Sequence, residues 1–322
     1  MNILLWHVHG SWTTSFVQGG HHYLVPVTPE RGPDGLGRAR TYPWPPSVEE
    51  VPPAELADRP VDAVLLQRPH EIELASRWLR RRVGRDVPAM YVEHNTPRGD
   101  VPLSRHPVAD HEDVVLVHVT HFNRLFWDNG TARTRVIEHG IVDPGPRYTG
   151  ELPRIAVAVN EPVRRGRITG TDLLPAFAAA APVDVYGLGV RGLPEATGLP
   201  PDRLTVLDDP PQAELHARMA RRRVYAHLPR WTSLGLSLLE AMHLAMPVVA
   251  LATTEAMAAV PPGAGVLSTD PAVLVDAVHA YVEDPTLAAD HGRRAREVAL
   301  ARYGLERFLG DWDELLSDIV TS

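Results

Sequence analysis

The sequence predicts an α/β protein made of two successive domains, each with a mostly parallel sheet. Its 322 residues are enough for two buried cores of ordinary size. Short apolar runs typical of strands alternate with helical stretches along the whole chain. One segment, EHGIVDPGPRYTGEL from Glu138 to Leu152, carries Gly and Pro without periodicity, and the alternation restarts after it. We therefore expect Rossmann-like domains at residues 1–145 and 146–304, facing each other across a cleft.

The first domain is predicted to contain five strands and one long surface excursion. Residues 28–59 are dense in Pro, Gly and charged side chains, so we expect a loop with little helix there. Apolar runs of strand length lie on both sides of this loop. The predicted strands are Ile3–Val8, Tyr23–Val27, Ala63–Leu66, Ala89–Val92 and Val114–Val119.

The second domain is predicted to contain six strands separated by helices. The strands are Ile155–Val159, Val183–Tyr186, Leu204–Leu207, Val224–Leu228, Val248–Leu251 and Gly265–Leu267. The helices are Asp172–Ala180, Gln212–Ala220, Gly235–His243 and Pro271–Val282. Residues 286–320 predict two further helices. In the last one, over residues 305–322, apolar side chains recur at spacings of three and four from Phe308 to Ile319, which makes a stripe that must be covered.

Composition excludes several classes of protein and of chemistry. The formal charge of −8 argues against a nucleic-acid binder, and no apolar stretch approaches the roughly 18 residues of a spanning helix. Met1 leads directly into a strand-like run without a basic segment, so we expect a soluble, cytoplasmic protein. The chain has no cysteine and no lysine, which excludes thiol and Schiff-base chemistry and an ordinary P-loop. Any phosphate must therefore be bound by arginine, backbone amides or a helix N-terminus.

The most informative segment is VYAHLPRWTSLGLSLLEAMHLAMPVV, residues 224–249. It predicts a strand, a polar turn with Gly235, a helix carrying Glu240, and a second strand opened by Pro247. Gly235 permits a tight passage from strand to helix, and the helix N-terminus leaves backbone N–H groups free to face an anion. The Glu240 carboxylate could accept hydrogen bonds from two hydroxyl groups of a ribose.

This segment resembles the nucleotide-sugar site of the retaining family-4 glycosyltransferases of GT-B fold. Their signature places a second glutamate after a first one and seven intervening residues, in a context like E-G-F-G-L-x-L-L-E-A-M-A-x-G-x-P-V-V-A. From Thr232 to Ala250 this chain reads TSLGLSLLEAMHLAMPVVA, so the second glutamate matches Glu240 and the first is replaced by Thr232. The resemblance implies that Glu240 binds the nucleotide ribose and that Thr232 lies at the sugar contact. Other departures from the signature are Ser233, Leu234 and Ala245. The implied donor-binding residues of this segment are Leu234, Gly235, Leu236 and Glu240.

Other segments resemble the same family in the expected order. VIEHGIVDPG at residues 136–145 is similar to its interdomain stretch, and VAVNEPVRRGRITGTDLL at residues 157–174 is similar to the strand and loop where an Arg and a Lys hold the diphosphate. This chain has Thr169 at the lysine position, so Arg164, Arg165 and Arg167 are the available replacements. The resemblance also implies that the helix over residues 305–322 crosses back onto the N-terminal domain.

The N-terminal domain contains most of the histidines. Eleven of the 16 histidines lie before residue 140, but no spacing typical of a metal site appears, so we expect no metal. His94 follows a buried-looking strand, and in the resembling enzymes a polar residue near this place faces the donor sugar. Glu93 could act as acid, base or electrostatic partner, or be a hydrogen-bonded core carboxylate. Gly10 and Ser11 could present amides to a diphosphate or acceptor, or form a simple turn.

The resemblance implies a glycosyltransferase that moves a sugar from a nucleotide diphosphate sugar to a small-molecule or glycan acceptor, with retention of anomeric configuration and without a cofactor. The residues expected to be catalytic are His94, Glu93 and Thr232. The changes at Thr169 and Thr232 leave open a catalytically degenerate nucleotide-binding or scaffolding protein, and a nucleotide-sugar epimerase is a third alternative. UDP, GDP and ADP donors all remain open.

Overall fold

The structure is a computed structural model that describes residues 1–321 and divides into two compact units. The first unit contains residues 1–142 and the last helix, from residue 305 onward, and the second contains residues 143–304. Each unit has one sheet in which all neighbouring strands pair in parallel. The predicted α/β class with two Rossmann-like domains is confirmed.

The first unit has a seven-stranded sheet. Its strands are β1 Asn2–Leu5, β2 His22–Pro26, β3 Val48–Val51, β4 Ala63–Leu66, β5 Ala89–Glu93, β6 Val114–His118 and β7 Thr134–Val136. They are arranged in the order β3-β2-β1-β4-β5-β6-β7. The α-helices of this unit before its last one are α1 Gly10–Phe16, α2 Glu71–Leu79 and α3 His121–Phe126. Short 3-10 turns cover Pro53–Asp58 and Val101–Leu103.

Two strands of this sheet, β3 and β7, were not predicted, and both lie at its edges. β3 reads VEEV, where only the two valines are buried, and it falls inside the segment expected to be a loop. β7 reads TRV and has no fully buried residue. An edge strand pairs on one side only, so it needs no continuous apolar run and periodicity does not reveal it. The expectation of a loop throughout residues 28–59 is therefore wrong at β3.

The second unit has a six-stranded sheet that contains all six predicted strands. They are β8 Leu152–Ala158, β9 Val183–Gly187, β10 Leu204–Asp208, β11 Arg222–His227, β12 Val248–Leu251 and β13 Gly265–Ser268. Their order is β10-β9-β8-β11-β12-β13. The helices are α4 Pro162–Arg165, α5 Leu174–Ala180, α6 Leu193–Thr197, α7 Gln212–Met219, α8 Leu236–His243, α9 Ala256–Ala259, α10 Pro271–Glu283 and α11 Pro285–Tyr303. Between α4 and α5, 3-10 turns cover Gly166–Thr169 and Thr171–Leu173.

The last helix, α12 Leu305–Thr321, belongs to the first unit and not to the sheet that precedes it in the chain. Its predicted apolar stripe is buried, with Phe308 and Trp312 almost fully inaccessible to solvent. The Trp312 ring packs edge-on against Trp12 and Phe16 of α1, at centroid distances of 5.7 and 5.2 Å. Burial of this stripe explains why the chain returns to its first unit. No helix in residues 1–321, this one included, is long and apolar enough to cross a membrane.

The space around two glycines shows how tightly α12 packs against the rest of the first unit. A Cβ added to Gly140 would lie 2.2 Å from Cβ of Phe308, whereas a Cβ added to Gly310 of α12 meets no atom within 4 Å. We expect Gly140→Ala to lower the free energy of unfolding by about 1–3 kcal/mol through overpacking. Gly310→Ala should raise it by about 0.5–1 kcal/mol, because alanine is the better helix former. Urea titrations of both variants measure these changes, and a Gly140→Ala variant as stable as the parent would contradict the described packing.

Candidate functional site

The strand order of the second sheet reverses between β8 and β11. The chain leaves β8 toward β9 on one side of the sheet, and after β10 it returns to β11 on the other side. Loops that follow two such parallel strands diverge at the carboxyl edge, and ligands of open α/β sheets bind in the crevice that this creates. We therefore expect the residues after β8 and after β11 to line a ligand site in this unit.

The loop after β11 leads into α8 through a close approach at Gly235. A Cβ added to Gly235 would lie 2.3 Å from Cε1 of the buried His227, so the passage leaves no room for a side chain. The N-cap residue of α8 is Gly235, which has no side chain with which to cap the helix. Its first backbone N–H groups therefore remain able to meet an anion. Leu234 is buried before this turn, while Thr232 and Leu236 are partly exposed.

Glu240 lies on α8 with only 4% of its surface exposed. Gln212 Nε2 donates a hydrogen bond to Glu240 Oε1 at 3.0 Å, and His216 Nε2 lies 3.4 Å from Oε2. Gln212 and His216 are one helical turn apart on α7, so they share a face. Neither residue is predicted from the sequence, although the spacing of four in QAELH was the available signal. A buried carboxylate that accepts from the Gln212 amide can exchange this partner for a hydroxyl group of a ligand.

The three arginines expected to replace the missing lysine lie in the loop after β8 and the short helix α4. Arg164 is exposed and pairs with Glu161, and Arg167 donates to Asp172 Oδ2 at 2.8 Å with three quarters of its side chain exposed. Arg165 ends α4 and is partly exposed. Thr169, at the lysine position of the resembling family, is buried, and its hydroxyl donates to the carbonyl of Gly166 at 3.0 Å.

A fourth arginine, Arg230, lies in the loop after β11 and contacts the loop that follows β8. Its Nη1 and Nη2 donate to the two carboxylate oxygens of Asp172 at 2.6 and 2.9 Å, and Nη1 also donates to the carbonyl of Arg167 at 2.8 Å. The backbone N–H of Arg230 donates to the carbonyl of Ile168 at 2.8 Å. Arg230 is not among the residues predicted from the sequence. The only signal was an arginine three residues after a buried strand in a chain without lysine.

In the first unit, His94 follows β5 and lies among aromatic and imidazole rings. Its ring centroid lies 4.0 Å from that of His9 and 5.0 Å from that of Trp12. Burial lowers the pKa of His9 to about 4 and that of His139 to about 3, and it holds the pKa of His94 well below its ordinary value. His94 Nε2 and both ring nitrogens of His139 are buried without a hydrogen-bond partner in the described chain. These imidazoles are therefore neutral at pH 7 and can exchange hydrogen bonds with a neutral hydroxyl group.

Glu93 is the last residue of β5, and its side chain contacts other residues than that of His94 does. Its Oε2 lies 2.9 Å from His106 Nε2, and its Oε1 accepts a hydrogen bond from the backbone N–H of Asn95 at 2.6 Å. The backbone N–H of Val108 donates to His106 Nδ1, so Nε2 carries the proton and donates to Glu93. The contacts match a hydrogen-bonded core carboxylate that fixes the loop after β5.

Gly10 and Ser11 open helix α1 directly after His9. The Tyr42 ring lies against Gly10, where an added Cβ would lie 2.6 Å from Tyr42 Cε2. The Nε1 of neighbouring Trp44 donates to Thr14 Oγ1 at 2.9 Å. The long excursion before β3 therefore packs on the start of α1. Within residues 1–321, no cluster of three or more His, Asp or Glu side chains could hold a metal ion.

The two parallel-sheet units, with the last helix returned to the first, define the fold of GT-B glycosyltransferases. Sucrose-phosphate synthase from Thermosynechococcus elongatus has 16% identity, a TM-score of 0.71, and a match covering 100% of this chain and 99% of that chain. Anabaena HepE, solved in complex with UDP and glucose, has 16% identity, a TM-score of 0.70, and coverage of 99% and 100%. A glycosyltransferase from Rickettsia africae has 12% identity, a TM-score of 0.68, and coverage of 99% and 98%.

The sequence adds a family match to this structural likeness. Residues 195–298 match the family described as "Glycosyl transferases group 1", so the predicted resemblance is confirmed over the segment that holds α7, α8 and Glu240. No curated protein matches this sequence.

The low pKa values of the buried histidines predict a loss of stability in acid. His139 stays neutral in the folded chain down to about pH 3, while the unfolded chain protonates it near pH 6.5. The unfolded state therefore binds more protons, and the free energy of unfolding should fall as the pH drops from 6.5 toward 4, by up to about 1.4 kcal/mol per pH unit for each such histidine. His9, with a pKa of about 4, adds to the same trend.

Urea titrations at several pH values check this prediction. His139→Gln should flatten the pH dependence, because it removes one group that is neutral when folded and charged when unfolded. The exposed His111 is the matched control, since His111→Gln should leave the slope unchanged. Equal slopes in the parent and in His139→Gln would contradict the described burial.

Proposed function

We propose that this protein is a glycosyltransferase that takes a nucleotide diphosphate sugar as donor and transfers the sugar, with retention of anomeric configuration, to an acceptor hydroxyl group. The observation that carries the proposal is the buried Glu240 carboxylate on α8, in the segment that matches the group 1 family. The second unit binds the donor in this proposal, and the first unit takes up the acceptor.

The ribose of the nucleotide is the group that Glu240 recognises. A ribose has two neighbouring hydroxyl donors, and a carboxylate has acceptor capacity for both. The Gln212 amide, which donates to Glu240 Oε1, gives up this oxygen when the ribose arrives. His216 at 3.4 Å from Oε2 remains beside the carboxylate and limits its rotation.

The leaving diphosphate needs positive electrostatic potential as charge develops on it during transfer. The uncapped N-terminus of α8 supplies backbone N–H groups and the positive end of a helix dipole. Arginine supplies the full charges, because the chain has no lysine. Donor binding needs no metal ion or cofactor in this proposal.

Retention of configuration follows from a reaction in which donor loss and acceptor attack occur on one face of the sugar. The departing phosphate oxygen takes the proton of the acceptor hydroxyl, so no carboxylate nucleophile is required. Thr232, which replaces a glutamate of the resembling family, is compatible with this route and incompatible with a carboxylate nucleophile at that position. His94 contributes a neutral imidazole for a sugar hydroxyl, and Glu93, through His106 and Asn95, orders the loop that follows β5.

A second function, nucleotide binding without turnover, is favoured by one observation. Thr169 replaces the lysine of the resembling family, and its side chain is buried and bonded to the Gly166 carbonyl. A scaffold that only binds nucleotide would tolerate this loss better than an enzyme that must stabilise a leaving diphosphate. A nucleotide-sugar epimerase is the third possibility.

Incubation with a panel of nucleotide sugars distinguishes these functions. UDP-sugars come first, since Anabaena HepE was solved with UDP-glucose, and GDP- and ADP-sugars follow. We expect slow hydrolysis of one donor, with release of its nucleoside diphosphate, because water replaces the missing acceptor. Release of the sugar as its α-anomer from an α-linked donor supports retention. An epimerised donor would establish the third function, and tight binding without turnover would establish the second.

Glu240→Gln tests the ribose contact. Loss of the negative charge should weaken binding of the preferred nucleoside diphosphate by about 1–3 kcal/mol, which is roughly 5-fold to 150-fold in dissociation constant. Glu214→Gln is the matched control, because Glu214 lies on α7 in an exposed pair with Arg218. Titration calorimetry measures both variants. Unchanged affinity in Glu240→Gln would remove this residue from the site.

A further inference from the structure

Arg230 and Asp172 meet at the strand reversal of the second unit, on loops that follow β11 and β8. We infer that Arg230 is the main cation for the donor diphosphate in this chain, and that Asp172 positions its guanidinium. This inference rests on the proposed function, because it needs a bound nucleoside diphosphate. It is an alternative to the expectation that Arg164, Arg165 or Arg167 carries the phosphate.

The loop arginines are poor candidates for a preorganised clamp. The Arg164 side chain is 70% exposed and that of Arg167 is 75% exposed, and each is paired with a carboxylate close to it in sequence, Glu161 and Asp172. Long exposed side chains lose conformational freedom on binding a ligand, and this cost reduces their contribution to affinity. Thr169, where the resembling family has its lysine, is buried and holds no charge.

Arg230 is held much more firmly. Only 28% of its side chain is exposed, and its backbone N–H is bonded to the carbonyl of Ile168. The Asp172 carboxylate accepts from both Nη1 and Nη2, so the guanidinium plane has a fixed orientation. These hydrogen bonds outweigh the burial of Asp172 and keep the pKa of its carboxyl below the ordinary value. The Asp172 carboxylate therefore stays charged throughout the neutral range.

The contacts of Arg230 leave one edge of its guanidinium open. Asp172 and the Arg167 carbonyl use both hydrogens of Nη1 and one hydrogen of Nη2. The Nε–H and the second Nη2 hydrogen have no acceptor in the described chain, and they point in the same direction as a two-pronged donor. This edge matches two oxygens of one phosphate group.

The local charge and the neighbouring helix both favour an anion here. Arg230 and Arg167 together carry two positive charges against one negative charge on Asp172, which leaves one positive charge in excess. The loop that begins after β11 carries Arg230 and ends at Gly235, where the uncapped N-terminus of α8 starts. Glu240 lies on the second turn of the same helix. A single continuous segment therefore supplies contacts for both the diphosphate and the ribose.

The test compares binding of nucleoside diphosphates with binding of the corresponding nucleosides. Calorimetry on the parent with UDP, GDP and ADP identifies the base, and the same titrations are then made on Arg230→Ala and Arg230→Lys. We expect Arg230→Ala to raise the dissociation constant of the preferred diphosphate at least 10-fold and to leave that of the nucleoside unchanged. Arg230→Lys should restore only part of the lost diphosphate affinity. An ammonium group cannot donate a pair of parallel hydrogen bonds to Asp172 and a second pair to a phosphate.

Three further variants complete the design. Asp172→Asn should weaken diphosphate binding less than Arg230→Ala and should also leave nucleoside binding unchanged, as expected for a positioning residue. Arg164→Ala should change diphosphate affinity less than threefold. Arg221→Ala is the matched control, since Arg221 pairs with Glu151 just before β11, at the amino end of the strand that Arg230 follows.

The outcomes separate this inference from the proposed function. If the parent binds none of the three diphosphates, the proposed function and the inference both fail. If the parent binds one diphosphate and Arg230→Ala binds it equally well, or loses nucleoside and diphosphate alike, only the inference fails. Should Arg230→Ala not fold, Arg230→Lys decides, because full diphosphate affinity in that variant would refute a two-pronged contact.

Discussion

Parallel pairing of β8 with β11 is the constraint on which the candidate site depends. These strands are neighbours where the strand order of the second sheet reverses, so their following loops diverge at one edge. This places Asp172 and Arg230 in contact although 58 residues separate them. The same pairing directs α8 away from that edge with its N-terminus toward it. The guanidinium, the free amides and Glu240 all derive their arrangement from this one strand contact.

Both units bury imidazole nitrogens that have no hydrogen-bond partner in the described chain. In the second unit the Glu240 carboxylate accepts a hydrogen bond from the Gln212 amide and lies 3.4 Å from His216 Nε2, which is one of these nitrogens. In the first unit His94 and His139 have buried ring nitrogens without partners and stay neutral, because burial disfavours the imidazolium.

The absence of lysine shapes the chemistry of the whole chain. An ammonium group is a compact charge on a flexible stem, whereas a guanidinium is planar and must be oriented before it can bind through two prongs. Asp172 provides this orientation for Arg230, and it does so while leaving the second edge of the guanidinium open. Asp172 thus fixes the plane of a guanidinium, which the compact charge of an ammonium group would not need.

Local periodicity and a contiguous motif in the sequence predict the α/β class, eleven of the thirteen described strands to within a few residues, and the segment that carries Glu240. It also indicated the stripe on α12. The edge strand β3, the Gln212 contact with Glu240 and the contact of Arg230 with Asp172 are visible only in the tertiary structure. Each of these depends on which strands become neighbours and which helix faces pack together. Long-range pairings of this kind leave no periodic signal in a single sequence, since the residues that meet are separated by tens of positions.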